Sequence, residues 1–549
     1  MFLTFIKNFF LYLRYIRFNY FFFKSNKSEK NRRVVLVEFN GFKSFHVSAS
    51  LLTKVLSDKF KASIIAYPEN TFYKYLDRDF IIRKIFYFLG KKIRIKTFGI
   101  YSSFGVQDFI EINRKFINRK KYNSISKKYF NNLKSKDELL KFRIKNILYG
   151  DLIYDSYLKY YKLPTLDLDD KRFYNFFLKS IEYYFFWESF FKIHDVCGVV
   201  GSQAVYLSSL PMRMAASLNK ISIVADPQRL YSLNSKRLYS YKEYLDFDKI
   251  LRSGSILKKQ LNEGKKEAKK RLKLRFLGKI GIDINYLSKS AYNSKFNKRI
   301  IKNNNNIKIL VAPHSFYDAP HTLGNHLFSD YFEWLNFIFK ISKETNYDWY
   351  IKCHPRFHDD NDRTIDIIKN LCVEYKNFQY IDHAISHNQL ISEGINYVIT
   401  CNGTIGLEYP YLGVPAINAS KNNPHYYYKF NYHPESKKEL KEIILNIQNK
   451  KIIINKSQIL EYYFLKHIYF SNDWLFDNFQ DLMKYCGGYK DINKSYRVYD
   501  YFLKNNDVNI LNDKIKSIKL FIESSDYLFN YTHKTISYDS HFLKQKKIY

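Results

Sequence analysis

The stretch Val398–Ile417, VITCNGTIGLEYPYLGVPAI, decides how the rest of the chain is read. A short apolar run ends at Thr400, breaks at Cys401-Asn402-Gly403-Thr404, and resumes over Ile405–Leu412 at helical spacing. Gly413-Val414-Pro415 then turns the chain into another short apolar run. Strand, glycine turn, helix and strand in that order make the half-unit of a nucleotide-binding α/β domain. Gly403 lets the backbone approach a phosphate, and the free N–H groups at a helix start favour an anion. Glu408, one turn into the helix, is placed to accept from ribose hydroxyls. One glycine turn is a weak signal by itself, and its weight comes from what lies upstream.

Trp349–Pro355 (WYIKCHP) reads as a strand that delivers Lys352, His354 and Pro355 to its carboxyl edge. A histidine there can hydrogen-bond a phosphate or protonate a leaving group, the lysine adds positive charge, and the proline sets the turn. In a parallel sheet this loop and the Asn402-Gly403-Thr404 turn share one edge, which makes a nucleotide cleft. Ala312–His326 (APHSFYDAPHTLGNH) follows the first strand of the same domain and offers His314, Ser315, Asp318 and His321. The spacing of His314, Asp318 and His321 would chelate a metal on a continuous helix. Pro313 and Pro320 argue against that helix, so the segment reads as a cleft-lining loop and no metal is expected. Asn422–His433 (NNPHYYYKFNYH) either packs the end of the domain or stacks on a base or sugar.

The first half repeats the pattern. Arg33–Phe39 (RVVLVEF) is an apolar strand, Asn40-Gly41 a turn, Phe45–Leu56 a helix and Ala62–Ala66 a strand. Asn40, Gly41 and His46 fall beyond the carboxyl end of that first strand, where such sheets bind ligands. The second and third glycines of a dinucleotide fingerprint are missing, so neither NAD nor FAD, nor any other cofactor, is expected. Val196–Gly201, Ala204–Leu218 and Ile221–Ala225 return to strand, helix and strand.

The expected architecture is therefore α/β, with two Rossmann-like domains facing across a cleft. The first spans 31–300, with a mainly helical insertion at about 73–192, and the second spans 301–455. Ser290–Asn306 reads as the linker, and 456–549 as C-terminal helices followed, over Tyr489–Tyr549, by a polar tail. The acidic residues of GDLIYD and TLDLDD read as solvated helix caps, the alternative being a cation site.

The 549 residues suit two or three domains, and 46% of them are hydrophobic. The formal charge of +38 suggests an anionic partner. Abundant Lys, Asn, Ile, Tyr and Phe also mark an AT-rich coding bias. No zinc-finger spacing, RNP motif or helix-turn-helix accompanies the charge, so nucleic acid is not the expected partner. Five cysteines without a C-x-x-C pair fit a reducing compartment. Residues 1–30 begin MFLTFIKNFFLYLRYIRFNYFFF, in which Lys7, Arg14 and Arg17 interrupt the apolar run. Those cations lie within about 80° on a helical wheel. The segment reads as an amphipathic helix in an anionic headgroup layer, the alternative being a helix docked on the protein's own core.

With these segments in hand, the chain resembles the bacterial capsule and surface-polysaccharide biosynthesis glycosyltransferases of GT-B type, including the Kdo and sialic-acid transferases. WYIKCHP, NGTIGLEYPYLGVPAI and NNPHYYYKFNYHP carry the likeness, joined by APHSFYDAPH, GDLIYD and VEFNGFKSFHVSASLL. The likeness covers roughly 33–480. It implies that His354 and Pro355 hold the donor phosphate, that Gly403 and Thr404 support it, that Glu408 takes the ribose, and that no metal is needed. Gln203 stands where a histidine is expected. The catalytic carboxylate is open among Asp318, Glu38 and Asp151, with Asp318 taken as catalytic beside His354. The implied partners are a CMP-activated or other nucleotide-sugar donor, a polysaccharide or glycolipid acceptor, and the inner face of the plasma membrane, reached from the cytoplasm. Transfer of a polyol phosphate from a CDP-activated donor, a degenerate scaffold, and a basic nucleic-acid-binding protein are the alternatives.

Overall fold

The computed structural model describes residues 2–23, 32–68, 88–111, 119–254, 256–283, 290–293, 298–355, 362–450, 452–470, 474–476 and 478–534. Its strands in chain order are β1 (Arg33–Phe39), β2 (Ser63–Pro68), β3 (Val106–Phe109), β4 (Arg143–Ile144), β5 (Ile147–Leu148), β6 (Asp195–Gly201), β7 (Ile221–Ala225) and β8 (Leu230–Leu233). Then come β9 (Lys308–Val311), β10 (Asp348–Lys352), β11 (Phe378–Ile381), β12 (Tyr397–Thr400) and β13 (Ala416–Asn418).

Six strands form the first sheet in the order β3-β2-β1-β6-β7-β8. All pairings are parallel except β7 with β8. β1 is buried on both faces. Val34 and Leu36 join a core that includes Tyr154 and Phe177, whereas Val35 and Val37 face Leu51, Leu52 and Val55 of helix Lys43–Phe60. A strand covered on both sides reads as a continuous apolar run, which is how RVVLVEF is recognisable. β3 and β8 were not foreseen. Both are four-residue strands at the sheet's edges with polar residues inside them, VQDF and LYSL, and carry little apolar signal.

The second sheet is wholly parallel, in the order β11-β10-β9-β12-β13. Ile309 and Val311 of β9 face helix Tyr331–Ser342 through Trp334, Leu335 and Ile338, and Leu310 faces the opposite side with Leu390 and Tyr409. The two α/β domains follow the expected pattern.

Within the expected insertion at about 73–192, β3 belongs to the first sheet, and the described residues after it form helices Arg119–Asn131, Lys136–Lys141, Gly150–Tyr161 and Lys171–Ile193 and the β4–β5 hairpin. Asp170 caps the last helix through the backbone N–H of Arg172 at 2.7 Å. The insertion also grips the second domain. Tyr154 Oη donates to Asp330 Oδ2 at 2.6 Å, and Lys136 Nζ pairs with Glu333 at 2.6 Å, both at the start of helix Tyr331–Ser342.

Two segments differ from their sequence-based reading. The described residues of Ser290–Asn306 are pinned to the second domain and are not a free connection. Ile301 is buried, the Ile300 and Ile301 N–H groups donate to Glu393 at 2.8 Å, and Tyr292 is buried beside Glu408. Beyond residue 489 the chain folds as helices Arg497–Asn505 and Val508–Ser524. Their Tyr499, Phe502, Ile518 and Phe521 share a core with helix Lys43–Phe60. Residues 535–549 of the expected tail lie outside the described residues.

Helix Phe2–Phe22 packs one face on this C-terminal layer. Tyr15 stacks on Tyr499 at 4.2 Å, Arg14 pairs with Asp500 at 3.1 Å, and Asn19 donates to Ser103 at 2.9 Å. Among the described residues no helix is long and apolar enough to cross a membrane.

Candidate active site

In an open parallel sheet, ligands bind where the strand order reverses, beyond the carboxyl ends. The first sheet reverses between β1 and β6, and the second between β9 and β12. The loop after β9 carries His314 and Ser315, the loop after β10 carries His354 and Pro355, and the turn after β12 carries Asn402, Gly403 and Thr404. Parallel pairing puts all three loops on one edge.

His314 joins two of them. Its Nε2 accepts from the Asn402 backbone N–H at 3.4 Å and lies 3.2 Å from Thr400 Oγ1. Burial, with the neighbouring His354 adding positive potential, pushes His314 down to about 4, so it is neutral and its Nε2 is free to accept. Tyr331 stacks on the ring at 4.5 Å and fixes its plane. His354, in the loop after β10, lies within electrostatic reach of His314 after β9 and of His387 at the start of the helix after β11. A Cβ on Gly403 would come to 3.0 Å from Thr400 Oγ1 and 3.7 Å from His314 Cε1. The turn is therefore fitted closely to the histidine. Thr404 is exposed at the start of helix Ile405–Tyr411.

The segment Asn422–His433 buttresses this turn from behind. Asn423 donates to the Cys401 carbonyl at 3.2 Å and to Asn418 Oδ1 at 2.9 Å, and Asn431 donates to the Gly406 carbonyl. A side chain at Gly406 would run into Asn418 Oδ1. Of the two roles open to this segment in the sequence, packing is the one these bonds display.

Other expected site residues are turned inward. Lys352 is buried, and its ammonium lies 3.4 Å from His387 Nε2, whose Nδ1 meets Tyr409 Oη at 2.8 Å. Burial lowers Lys352 to about 8. Glu408 is buried with both oxygens engaged, by Arg275 and by Tyr292. His46 is fully buried, with Nδ1 2.6 Å from Tyr499 Oη and Nε2 2.8 Å from the Asn40 carbonyl. Burial drives it down to about 3. Asn40 is buried and shapes the turn by accepting from Phe42 N–H at 3.0 Å, while Gly41 is exposed. His321 donates to Asp155 Oδ1 at 2.6 Å and to the Ser329 carbonyl at 2.9 Å. Burial opposes protonation of His321, but Asp155 outweighs it and raises the pKa. His314, Asp318 and His321 thus diverge. Among the described residues no three His, Cys, Asp or Glu side chains converge as a metal group.

The β9 loop runs on from His314 to one wall of a cavity of about 440 Å³ between the domains. Asp318, Ala319 and Thr322 form the second-domain wall. Lys159, Ser202, Gln203 and Tyr206 face them from the first domain, with Ser202 and Gln203 at the end of β6. Both sheets therefore send loops from their carboxyl edges into one interdomain cavity, a GT-B-like arrangement. Asp318 Oδ1 accepts from Lys159 Nζ at 3.1 Å and from Tyr206 Oη at 3.2 Å, and the side chain is 60% exposed. The other two carboxylates weighed for catalysis are enclosed. Asp151 is held by Arg213 at 3.0 and 3.1 Å and by Tyr239 at 2.9 Å, and Glu38 is capped by Ser202 N–H and Oγ. Burial raises the Glu38 pKa. Lys159 and Tyr206 had no signal in the sequence, since a lone lysine in an aromatic-rich helical stretch and a lone tyrosine in a loop after a strand look like any other.

No protein-family model and no curated protein matches the chain. Similar solved structures include the UDP-GlcNAc 2-epimerase of Neisseria meningitidis bound to UDP-GlcNAc, at 11% identity and a TM-score of 0.23, covering 78% of this chain and 94% of that one. The UDP-GlcNAc 2-epimerase of Methanocaldococcus jannaschii, in complex with UDP-GlcNAc and UDP, is 11% identical with a TM-score of 0.24, covering 78% and 97%. A glycosyltransferase from Rickettsia africae is 9% identical with a TM-score of 0.22, covering 87% and 100%. Likeness at this level fixes neither substrate nor reaction, and the fold rests on the strand orders and the shared cavity.

Proposed function

We propose that the chain is a metal-independent glycosyltransferase of GT-B kind that moves a sugar from a nucleotide donor, CMP-activated in the favoured reading, to a surface polysaccharide or its glycolipid precursor. The observation that carries this reading is the meeting of the His314, His354 and Asn402-Gly403 loops at the strand-order reversal of the second sheet, beside a cavity shared with the first domain.

In this reading His354 and the Asn402-Gly403-Thr404 turn receive the donor phosphate, with neutral His314 keeping the turn in place. The acceptor hydroxyl enters the interdomain cavity and loses its proton to Asp318 as its oxygen bonds the anomeric carbon. The bond from that carbon to the phosphate oxygen breaks, and the nucleotide leaves with the electron pair, stabilised by His354. Lys159 and Tyr206 hold Asp318 in place by donating to its Oδ1. Glu408 and His46 act by fixing the helix and turn that they brace. The acceptor is met at the inner face of the membrane through helix Phe2–Phe22.

The test is a thermal-shift and turnover screen of the full chain with CMP-, CDP-, UDP- and GDP-activated sugars. Stabilisation by one nucleotide class, with release of that nucleotide on adding acceptor, supports the reading. Consumption of a CDP-polyol instead of a sugar nucleotide would reassign it to polyol-phosphate transfer. No shift with any nucleotide would overturn it.

A further inference from the structure

Helix Phe2–Phe22 buries the side of its wheel that carries Tyr15 and Asn19. The opposite side leaves Phe9, Phe10, Leu13, Tyr20 and Phe21 exposed, Phe10 at 65% and Phe21 at 75%. Lys7, Arg14 and Arg17 share that side, and the helix holds no Asp or Glu. Large aromatic rings left in water on a helix that is otherwise well docked call for a partner.

A second element adjoins it. Tyr12 reaches the backbone at Lys96 and the start of helix Thr97–Ser103, at the edge of the wheel next to Phe9. The residues leading into this junction, 88–96, read FLGKKIRIK. They expose Phe88, Leu89, Ile93 and Ile95, together with Lys92, Arg94 and Lys96, and again contain no acidic residue. Two of the cations are already paired, Lys91 with Asp108 at 2.8 Å and Arg14 with Asp500 at 3.1 Å. The backbone is positive in φ at Arg94 and Lys96, at 55° and 52°, where the stretch bends against the helix.

We propose that helix Phe2–Phe22 and residues 88–96 form one docking surface for an anionic lipid bilayer, both elements inserting apolar side chains between headgroups. Charge complementarity selects this occupant. A second copy meeting this face would set cations against cations without a carboxylate on either element. A nucleic acid would satisfy the cations but leave Leu13, Ile93 and Ile95 without apolar contacts. A bilayer interface meets both needs, with aliphatic and aromatic groups below the phosphates and Lys and Arg among them. This rests on the membrane contact proposed above and adds a second insertion element, which fixes the molecule's orientation where a single helix would leave it free to roll.

The test is co-sedimentation of the full chain with phosphatidylcholine vesicles, with and without phosphatidylglycerol, and needs no turnover of any donor. Failure here would leave the sugar-transfer reading standing, and the reverse also holds. Phe10→Ser/Phe21→Ser and Ile93→Ser/Ile95→Ser are each expected to weaken binding to the anionic vesicles about tenfold or more. Arg17→Glu and Lys92→Glu, which remove no apolar side chain, are expected to weaken it several-fold without changing the melting temperature. Wild-type binding by both Ile93→Ser/Ile95→Ser and Lys92→Glu would overturn the two-element surface while leaving the helix. Equal binding to neutral vesicles, or conversion of a dimer to a monomer by these substitutions, would overturn the choice of an anionic bilayer.

Discussion

Arg275 and Glu408 form a buried ion pair that ties helix Lys258–Phe276 to the helix following the glycine turn. Arg275 Nε donates to Glu408 Oε1 at 2.8 Å, and Tyr292 Oη donates to Oε2 at 2.5 Å. Burial opposes the charge on Arg275, but Coulombic attraction from Glu408 outweighs it and raises the arginine's pKa. Removing one member of such a pair leaves the other charged and dry, and that cost exceeds the net worth of the intact pair.

Glu408→Ala is therefore expected to destabilise the fold by about 3–5 kcal/mol. Glu408→Gln, which keeps the shape and one acceptor oxygen, should cost less. Urea denaturation beside donor titration separates this from a ribose contact. A variant of unchanged stability with weakened donor affinity would return Glu408 to the ligand.

Gly406 meets Asn418 across the same turn, and Asn418 is itself held by Asn423. Gly406→Ala forces these buried amides apart, an overpacking expected to cost about 1–3 kcal/mol. Because Asn423 also holds the Cys401 carbonyl, the Asn402-Gly403 turn moves with it. Donor binding should lose more free energy than folding does. An alanine variant with native donor affinity would show that the turn tolerates the shift.

How far the sequence announced this arrangement depends on how far apart the interacting residues are. The glycine turn and the His354 loop were legible because each lies within one strand–turn unit, where apolar run, glycine and proline follow in order. The surroundings of Glu408 and His46 are illegible for the opposite reason. The partners that bury them are Arg275, 133 residues away, and Tyr499, 453 residues away. A carboxylate one turn into a helix looks the same in sequence whether it faces a ribose or an arginine. The helices beyond residue 489 were obscured in a similar way. Their apolar faces are interleaved with Lys and Asn, and only docking on helix Lys43–Phe60 shows which side is the core. Asp318 was placed on the cleft by position alone. Its neighbours Lys159 and Tyr206 come from the first domain, 159 and 112 residues away.

His321 and Asp155 join the second domain to the insertion of the first, and their pH response follows from the donors around the ring. Both ring nitrogens face acceptors, Asp155 and the Ser329 carbonyl, which favours the imidazolium. With its folded pKa raised above the ordinary value near 6.5, the pair contributes its full stability below that value. The contribution falls as pH rises through the raised folded value. The melting temperature of the wild type should therefore drop from neutral to alkaline pH more steeply than that of His321→Gln. Parallel profiles would show that the ring stays neutral throughout.

Asp318 and His354 offer the sharpest separation of roles, since they come from different loops and face different parts of the proposed reaction. Asp318 is exposed on the cavity wall, braced by Lys159 and Tyr206, and touches nothing on which the second sheet depends. His354 stands in the loop after β10, at the sheet edge that also carries His314 and the Asn402-Gly403 turn. If Asp318 takes the acceptor's proton, Asp318→Asn should lower kcat about 10²–10⁴-fold with donor Kd unchanged. If His354 stabilises the departing phosphate, His354→Ala should lower kcat about 10²–10³-fold and also weaken donor binding, because the donor's own phosphate touches it. Neither change removes a core side chain, and both variants should melt with the wild type. Donor titration and single-turnover rates on the two variants read these effects apart. A Kd effect from Asp318→Asn would move that carboxylate to the donor side of the cavity. Wild-type turnover by His354→Ala would remove the histidine from the reaction, and with it the phosphate site at this edge of the sheet.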